Sequence, residues 1–154
     1  MCRYFKDILD TGMVSQYLVS DKLRNILEVY GNGGCSFFPV LIEDKKGLEV
    51  SGYHGLSIIG RCGLISYSQS ERIIEPPRYK GGPSIPYLRG QFPDMSQWDG
   101  SDIFSPVDSY FDFVTEKLAQ PLLEANLTNV NIIQMIKWKL VRVVQQMQVI
   151  ITEI

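Results

Sequence analysis

The chain has 154 residues, of which 45% are hydrophobic and 21% charged, so its length suits one domain and its composition excludes a chain too polar to collapse. The net charge of −2 provides no basic footprint for nucleic acid or an anionic membrane. Three widely spaced cysteines and one histidine match no familiar zinc motif, which predicts a reduced protein without a bound metal or other cofactor.

The amino-terminal residues predict a protein that stays in the cytoplasm. Charged residues at Arg3, Lys6 and Asp7 stand where a signal peptide needs an apolar core. The longest apolar runs, such as residues 149–151, are far too short to cross a bilayer. We therefore expect neither a membrane nor a nucleic acid to be the partner.

The first half of the chain is predicted to form short strands around one helix. Ser20 is a good helix N-cap, and the helix is expected to run to Tyr30 and to end at the Gly/Asn run 31–34. Pro39 marks its strand as an edge strand or a bulged one, and the charged turn 43–47 predicts a hairpin. The other expected elements are a short amphipathic turn or helix over 1–14, stopped by Gly12, and strands over 16–19, 35–42, 48–53, 56–59 and 64–67.

The second half is predicted to begin with a long loop, because prolines and glycines interrupt residues 75–106. A strand over 109–114 and a helix over 116–125 capped by Thr115 should follow. The tail indicates a helix over 135–148, although its valines and isoleucines keep a strand open. Together the elements predict a single α+β domain over residues 1–154, with helices packed on a mixed or antiparallel sheet.

Two segments of the chain resemble each other when the sequence is shifted by 95 residues. The segment Leu-Val-Ser-Asp-Lys-Leu at 18–23 then lies over Phe-Val-Thr-Glu-Lys-Leu at 113–118, and Leu27 lies over Leu122. Each segment ends a strand, supplies a hydroxyl N-cap and places an acid in the first turn of a helix, where the helix dipole favours it. The match indicates either two related strand–helix units or a chance similarity, because units of this kind generally share the same sequence pattern.

The same residues resemble a bacterial immunity-protein family of polymorphic toxin systems, first catalogued as a domain of unknown function. The resemblance rests on residues 17–23, on Phe37-Phe38-Pro39-Val40, and on the second helix start at 114–118. The family typically continues with Ala-Gly-x-Thr-Gly, where this chain has Ala-Asn-Leu-Thr-Asn at 125–129. The similarity covers about 17–70 and 104–135. It implies a single α+β domain that binds and neutralises a toxin made by the same cell or its kin, and it supplies no catalytic residues.

The distribution of charge independently favours a binding role. Residues 90–116 hold six acids and no Lys or Arg, so the rest of the chain nets +4. Aromatic residues accompany the acids, a combination suited to a basic partner such as a nuclease toxin. The alternative is a solvated loop whose rings pin it to the core. The toxin-binding candidates are Asp94, Trp98, Asp99, Asp102, Phe104 and Asp108.

Two other functions stay open on the sequence. His54 could act as a general base in a small hydrolase or transferase, although no nucleophile motif surrounds it. The chain could also be an adaptor without a toxin partner. We expect an immunity protein that is not an enzyme and that occludes the active site of a cognate toxin, encoded by a neighbouring gene.

Overall fold

The computed structural model describes residues 6–77, 79–135 and 147–152. The helices are α1 (Asp21–Tyr30) and α2 (Glu116–Glu124). The strands are β1 (Ile8–Asp10), β2 (Gln16–Ser20), β3 (Cys35–Phe38), β4 (Tyr53–Ile58), β5 (Arg61–Cys62), β6 (Glu71–Glu75), β7 (Ile85–Arg89), β8 (Ile103–Pro106), β9 (Asp112–Thr115), β10 (Val130–Gln134) and β11 (Met147–Thr152). Short 3-10 turns cover Tyr67–Gln69 and Met95–Gln97.

The strands form two main sheets and a separate hairpin. The first sheet has the order β1-β2-β4-β3, and all its neighbours are antiparallel. The second has the order β10-β11-β9-β8-β5, in which β8 and β9 are antiparallel and the other neighbours are parallel. Strands β6 and β7 pair only with each other. The fold is thus a small α+β domain with mixed and antiparallel sheets, as the sequence predicts.

Helix α1 begins and ends as the sequence predicts. The Ser20 hydroxyl accepts a hydrogen bond from the Leu23 amide at 3.3 Å, which satisfies one of the free N–H groups of the first turn. At the other end the Gly31 amide donates to the Leu27 carbonyl at 3.1 Å. Strand β3 then stops at Phe38, directly before Pro39, and it lies at a sheet edge, where the missing N–H of proline costs no ladder bond.

The 95-residue near-repeat corresponds to two units with the same order of elements. The first unit is β1-β2-α1-β3-β4 and the second is β8-β9-α2-β10-β11. Their four strands are also arranged in the same way, since β1-β2-β4-β3 and β8-β9-β11-β10 are matching orders. The units differ in the direction of the last strand, because β4 runs antiparallel to its neighbours and β11 runs parallel to its own.

One hydrophobic core joins the two units. Helices α1 and α2 contact each other, and the core takes residues from both halves. Each unit contributes matching leucines at Leu23 and Leu27 and at Leu118 and Leu122, all nearly inaccessible to solvent. Burying such side chains provides about 1.5–3 kcal/mol each. The units are therefore packed against each other rather than linked in series.

The second sheet is buried on both faces, because successive side chains along a strand point to opposite sides. Ile103 and Val114 face the shared core, whereas Phe104 and Phe113 face a second cluster that includes Cys62 and Ile65. The segments before β8 supply much of this second cluster. They therefore lie across the outer face of the sheet.

Three sequence expectations are corrected here. The short amphipathic turn or helix expected over 1–14 is wrong where Ile8–Asp10 forms a strand paired with β2, and residues 1–5 lie outside the described chain. The loop expected over 75–106 contains β7 and β8 as well as loops. Proline is tolerated in β7 because this strand pairs only with β6. Of the expected tail helix, residues 136–146 lie outside the described chain, and 147–152 take the strand alternative.

Candidate functional site

Three of the predicted toxin-binding acids are exposed and hold loop backbone in place. Asp94 caps the 3-10 turn by accepting a hydrogen bond from the Ser96 amide at 3.0 Å. Asp99 accepts from the amides of Arg61 at 2.8 Å and Ser101 at 3.0 Å, and Asp108 accepts from the Ile65 amide at 2.9 Å. Each carboxylate leaves part of its surface open to solvent.

These three carboxylates lie along one short segment, residues 61–65. Asp99 and Asp108 accept from the amides of Arg61 and Ile65, and a Cβ on Gly63 would lie 2.9 Å from an Asp94 carboxylate oxygen. Burial, together with the smaller effect of the negative charges of Asp99, Asp94 and Asp108, raises the pKa of Cys62 to about 11. The Asp94 carbonyl also accepts from the Gly63 amide at 2.9 Å, which ties its loop to the end of β5. Acids spread over fifteen positions of sequence are therefore gathered along the five residues 61–65, which begin with β5.

Hydrogen bonds favour the ionised form of two of these acids, Asp94 and Asp99. For Asp94, the bonds from the Ser96 side chain and amide lower the pKa of the carboxyl below its usual range. For Asp99, partial burial works in the opposite direction, but hydrogen bonds from Ser101 and Arg61 outweigh it and lower the pKa. The nearby guanidinium of Arg61 donates to the carbonyls of Ile58 at 3.2 Å and Gly60 at 2.9 Å. This part of the surface therefore carries an excess of negative charge.

Trp98 lies half-buried beside these acids. Its indole Nε1 donates to the Ser101 carbonyl at 3.0 Å, and its ring packs on Phe104 with centroids 5.9 Å apart and a tilt of 55°. One hydrogen bond and one ring contact fix the orientation of the indole while leaving part of it accessible. An open depression of about 480 Å³ adjoins it and is lined by Trp98, Thr115, Glu116 and Lys117.

Phe104 is a core residue, so its predicted role as a contact residue is wrong for this structure. Its side chain is completely buried and stacks on Phe113, with centroids 5.9 Å apart and an interplanar angle of 13°. The exposed ring of the segment is instead Tyr110, which is 79% accessible and lies on the same β8–β9 loop as Asp108. Strand β8 is buried at every position, including 104, whereas the following loop exposes position 110.

Asp102 is likewise a structural residue, since it is only 6% exposed. Its carboxylate accepts hydrogen bonds from the Thr115 hydroxyl at 2.6 Å, the Asn32 amide at 2.9 Å and the Lys117 ammonium at 3.1 Å. Burial alone would raise the pKa of Asp102, but the bonds from Thr115, Lys117 and Asn32 lower it. The Thr115 hydroxyl is thereby used on Asp102, so it does not cap α2 as the sequence predicts.

His54, the residue of the alternative enzymatic hypothesis, lies half-buried on β4 beside α1. Its Nε2 is 2.6 Å from the Asp21 carboxylate, and the Arg24 guanidinium lies 3.1 Å from its Nδ1. Among the described residues, no hydroxyl or thiol lies within hydrogen-bond distance of the ring, so the arrangement holds a histidine–acid pair without a nucleophile. Arg24 is itself fixed by Glu28 at 2.9 Å and by the ring of Phe37.

The sequence interpretation missed two residues of this surface, Tyr110 and Glu116. Tyr110 follows a polar turn, which favours exposure, but so many rings in one segment do not reveal which one faces solvent. The near-repeat draws attention to Glu116, because it matches Asp21. An acid in the first turn of a helix is already favoured by the helix dipole, however, so this match does not indicate a binding role. Only the position of Glu116 in the depression beside Trp98 marks it as a candidate contact residue.

The described residues show neither a metal-binding group nor a membrane helix. Over 6–77, 79–135 and 147–152, no three of His, Cys, Asp and Glu are grouped to hold a metal ion. No helix in this part of the chain is both long and apolar enough to cross a bilayer. Cys35 and Cys62 are free thiols, and burial raises the pKa of both.

Comparison with known proteins provides no family assignment. No protein-family model matches the chain, and no curated protein sequence matches it significantly.

Proposed function

We propose that this protein is an immunity protein that binds a cognate, basic toxin domain and blocks its active site. The surface that would make the contact, here called the acidic face, consists of Asp94, Asp99 and Asp108 with the accessible rings of Trp98 and Tyr110. The observation that carries the proposal is that the three exposed carboxylates lie together along residues 61–65. The resemblance of the two helix starts to an immunity-protein family provides the choice of partner.

The chemistry of the acidic face suits a partner that handles phosphates. A nuclease grips its substrate with Lys and Arg, so its active-site face is basic. Carboxylates of opposite sign accelerate and orient the encounter, while aromatic side chains supply buried contact area. The hydrogen bonds that fix Asp94 and Asp99 hold these charges in place before binding, which reduces the ordering cost of association.

The direct test is co-expression with the product of the adjoining gene. We expect this chain to restore growth that the neighbouring gene product inhibits, and to co-purify with it at micromolar concentration. Raised salt should weaken the complex, because it screens exposed charges. If the neighbour is not toxic, or if it is toxic but is neither neutralised nor captured, the immunity function is wrong.

A charge-neutralising variant locates the contact. Replacing Asp94, Asp99 and Asp108 together by Asn removes three charges. It retains an oxygen that can accept the backbone hydrogen bonds of Asp94 and Asp108 and one of the two made by Asp99. We expect the association rate with the toxin to fall about tenfold or more. Asp44→Asn is the matched control, because Asp44 also accepts backbone hydrogen bonds, from Lys46 and Leu48, on the distant turn between β3 and β4. Equal rates for the triple variant and the control would exclude the acidic face as the contact.

A further inference from the structure

The depression at the start of α2 combines a flat ring with a carboxylate. Trp98 forms one wall, and Thr115, Glu116 and Lys117 from the β9–α2 junction form the rest. The hydrogen bond to Ser101 and the contact with Phe104 hold the indole in one orientation. Such a ring is a preorganised platform for a flat or cationic group.

The two units of the fold allow the charge of Glu116 to be compared with that of its counterpart. The 95-residue shift places Asp21 over Glu116, each as the first residue of its helix. Asp21 is engaged by His54 at 2.6 Å. The same shift places Val149 over His54, and Glu116 makes no ion pair or side-chain hydrogen bond with any other described residue. In the first unit this acid contacts a histidine of the same unit, whereas in the second unit it pairs with no charged side chain of the described residues.

The lysine in the depression does not cancel this charge. The Lys117 ammonium lies 3.1 Å from the buried carboxylate of Asp102, which balances it. Exposed Asp99, next to Trp98 in sequence, adds further negative charge close by. The depression consequently presents a ring and a carboxylate that is unpaired among the described residues to whatever enters it.

We propose that this depression receives an arginine side chain of the bound toxin. The guanidinium would stack on the Trp98 indole and donate to the Glu116 carboxylate. Arginine fits better than lysine, because its planar group can stack and donate two parallel hydrogen bonds at once. This inference rests on the proposed function, and it gives that function a specific anchor where Trp and Arg are the residues that dominate binding energy.

A small probe tests the depression without the toxin. We would titrate the peptide acetyl-Gly-Arg-Gly-amide into the ¹⁵N-labelled protein and follow the indole N–H resonance of Trp98, assigned by its loss in Trp98→Phe. We expect a saturable shift with the arginine peptide, and binding at least about threefold weaker with the lysine analogue. No saturable shift, or equal binding of both peptides, would overturn the inference.

Matched variants assign the carboxylate. Glu116→Gln should weaken binding of the arginine peptide about fivefold, whereas Asp21→Asn at the equivalent position of the first unit should leave it unchanged. Both changes remove one first-turn acid, so the loss of its interaction with the helix dipole is common to them, and Asp21→Asn also weakens the contact with His54. If Glu116→Gln binds the peptide as tightly as the parent protein, the assignment is wrong.

The toxin complex separates this inference from the function beneath it. If Glu116→Gln protects cells and holds the toxin as well as the parent protein does, the arginine anchor is wrong and the immunity function stands. If the arginine peptide binds through Glu116 but no toxin is neutralised, the anchor site stands without that function. Loss of affinity in both Glu116→Gln and the Asp94/Asp99/Asp108 variant supports both.

Discussion

At the scale of single residues, the most buried carboxyl group among the described residues is that of Asp112 on β9. Its carboxyl is 1% exposed and is surrounded by three hydroxyls, those of Tyr17 at 2.6 Å, Ser15 at 3.0 Å and Ser105. Tyr17 and Asp112 occupy equivalent positions under the 95-residue shift, so the two units meet here through a polar contact. Burial raises the pKa of Asp112 despite the hydroxyl donors and the charge of Arg61.

The raised pKa of Asp112 predicts a stability that declines with pH. Between about pH 4 and the folded-state pKa, the folded protein holds a proton that the unfolded chain has released. Its free energy of unfolding therefore falls as pH rises through this range. Asp112→Asn removes this titration and keeps the shape. We therefore expect the free energy of unfolding of Asp112→Asn, relative to the parent protein, to increase with pH. Urea denaturation across this pH range measures it, with Asp44→Asn as control, and a pH-independent difference would contradict the assignment.

At the scale of elements, two aspartates connect each helix start to the turn after the other helix. Asp7 accepts hydrogen bonds from the hydroxyl of Ser20, the N-cap of α1, and from the amide of Thr128, which follows α2. Asp102 accepts from Thr115, which precedes α2, and from Asn32, which follows α1. The two aspartates are again 95 residues apart. Each unit therefore depends on an aspartate of the other unit for hydrogen bonds in the turn after its helix.

This exchange predicts a large effect of Asp102→Ala. The substitution leaves the buried Thr115 hydroxyl and the Asn32 amide without their acceptor, so we expect a loss of about 3 kcal/mol in the free energy of unfolding. Because the pKa of Asp102 is lowered, its contribution is present above about pH 4 and is lost as pH falls through the folded-state pKa. Urea denaturation at neutral and acid pH tests this. A loss below about 1 kcal/mol at neutral pH would contradict it.

The same residues show how far sequence reasoning reaches. Ser20 and α1 follow from local chemistry, namely a hydroxyl cap, a first-turn acid and an apolar stripe, and the structure confirms them. The role of Asp102 does not follow, because its partners Asn32 and Thr115 lie far away in sequence. Strand β1 was missed for the same reason, since three residues become a strand only by pairing with β2.

The residues of the candidate site likewise divide into those that the sequence pattern identifies and those whose role depends on tertiary contacts. The charge pattern of residues 90–116 identified Asp94, Asp99 and Asp108, which the structure places on the surface, and it also included Asp102, which is buried. A count of charges cannot separate a carboxylate that faces solvent from one that satisfies buried donors. That distinction depends on tertiary contacts, as does the choice of Tyr110 over Phe104 as the exposed ring.

At the scale of the whole molecule, the duplicated order of elements produces one core rather than two. Asn126 and Asn129 adopt φ of 49° and 64°, so the turn after α2 has a left-handed backbone at two positions, which asparagine tolerates better than most residues. The Asn129 side chain then donates to the Ile8 carbonyl of the other unit at 3.0 Å. In the reciprocal turn, a Cβ on Gly34 would lie 1.8 Å from the Ile103 carbonyl oxygen, so only glycine allows this approach.

Such interlocking predicts that the two units unfold together. Leu27→Ala in α1 and Leu122→Ala in α2 remove equivalent side chains from the shared core, and each should lower the free energy of unfolding by about 3 kcal/mol. Scanning calorimetry should give one transition for both variants, with matching calorimetric and van't Hoff enthalpies. Val29→Ala and Leu123→Ala, at exposed positions of the same helices, are the controls. Two transitions, each displaced only by the substitution in its own unit, would mean that the units are independent, because a shared core transmits either loss to the whole molecule.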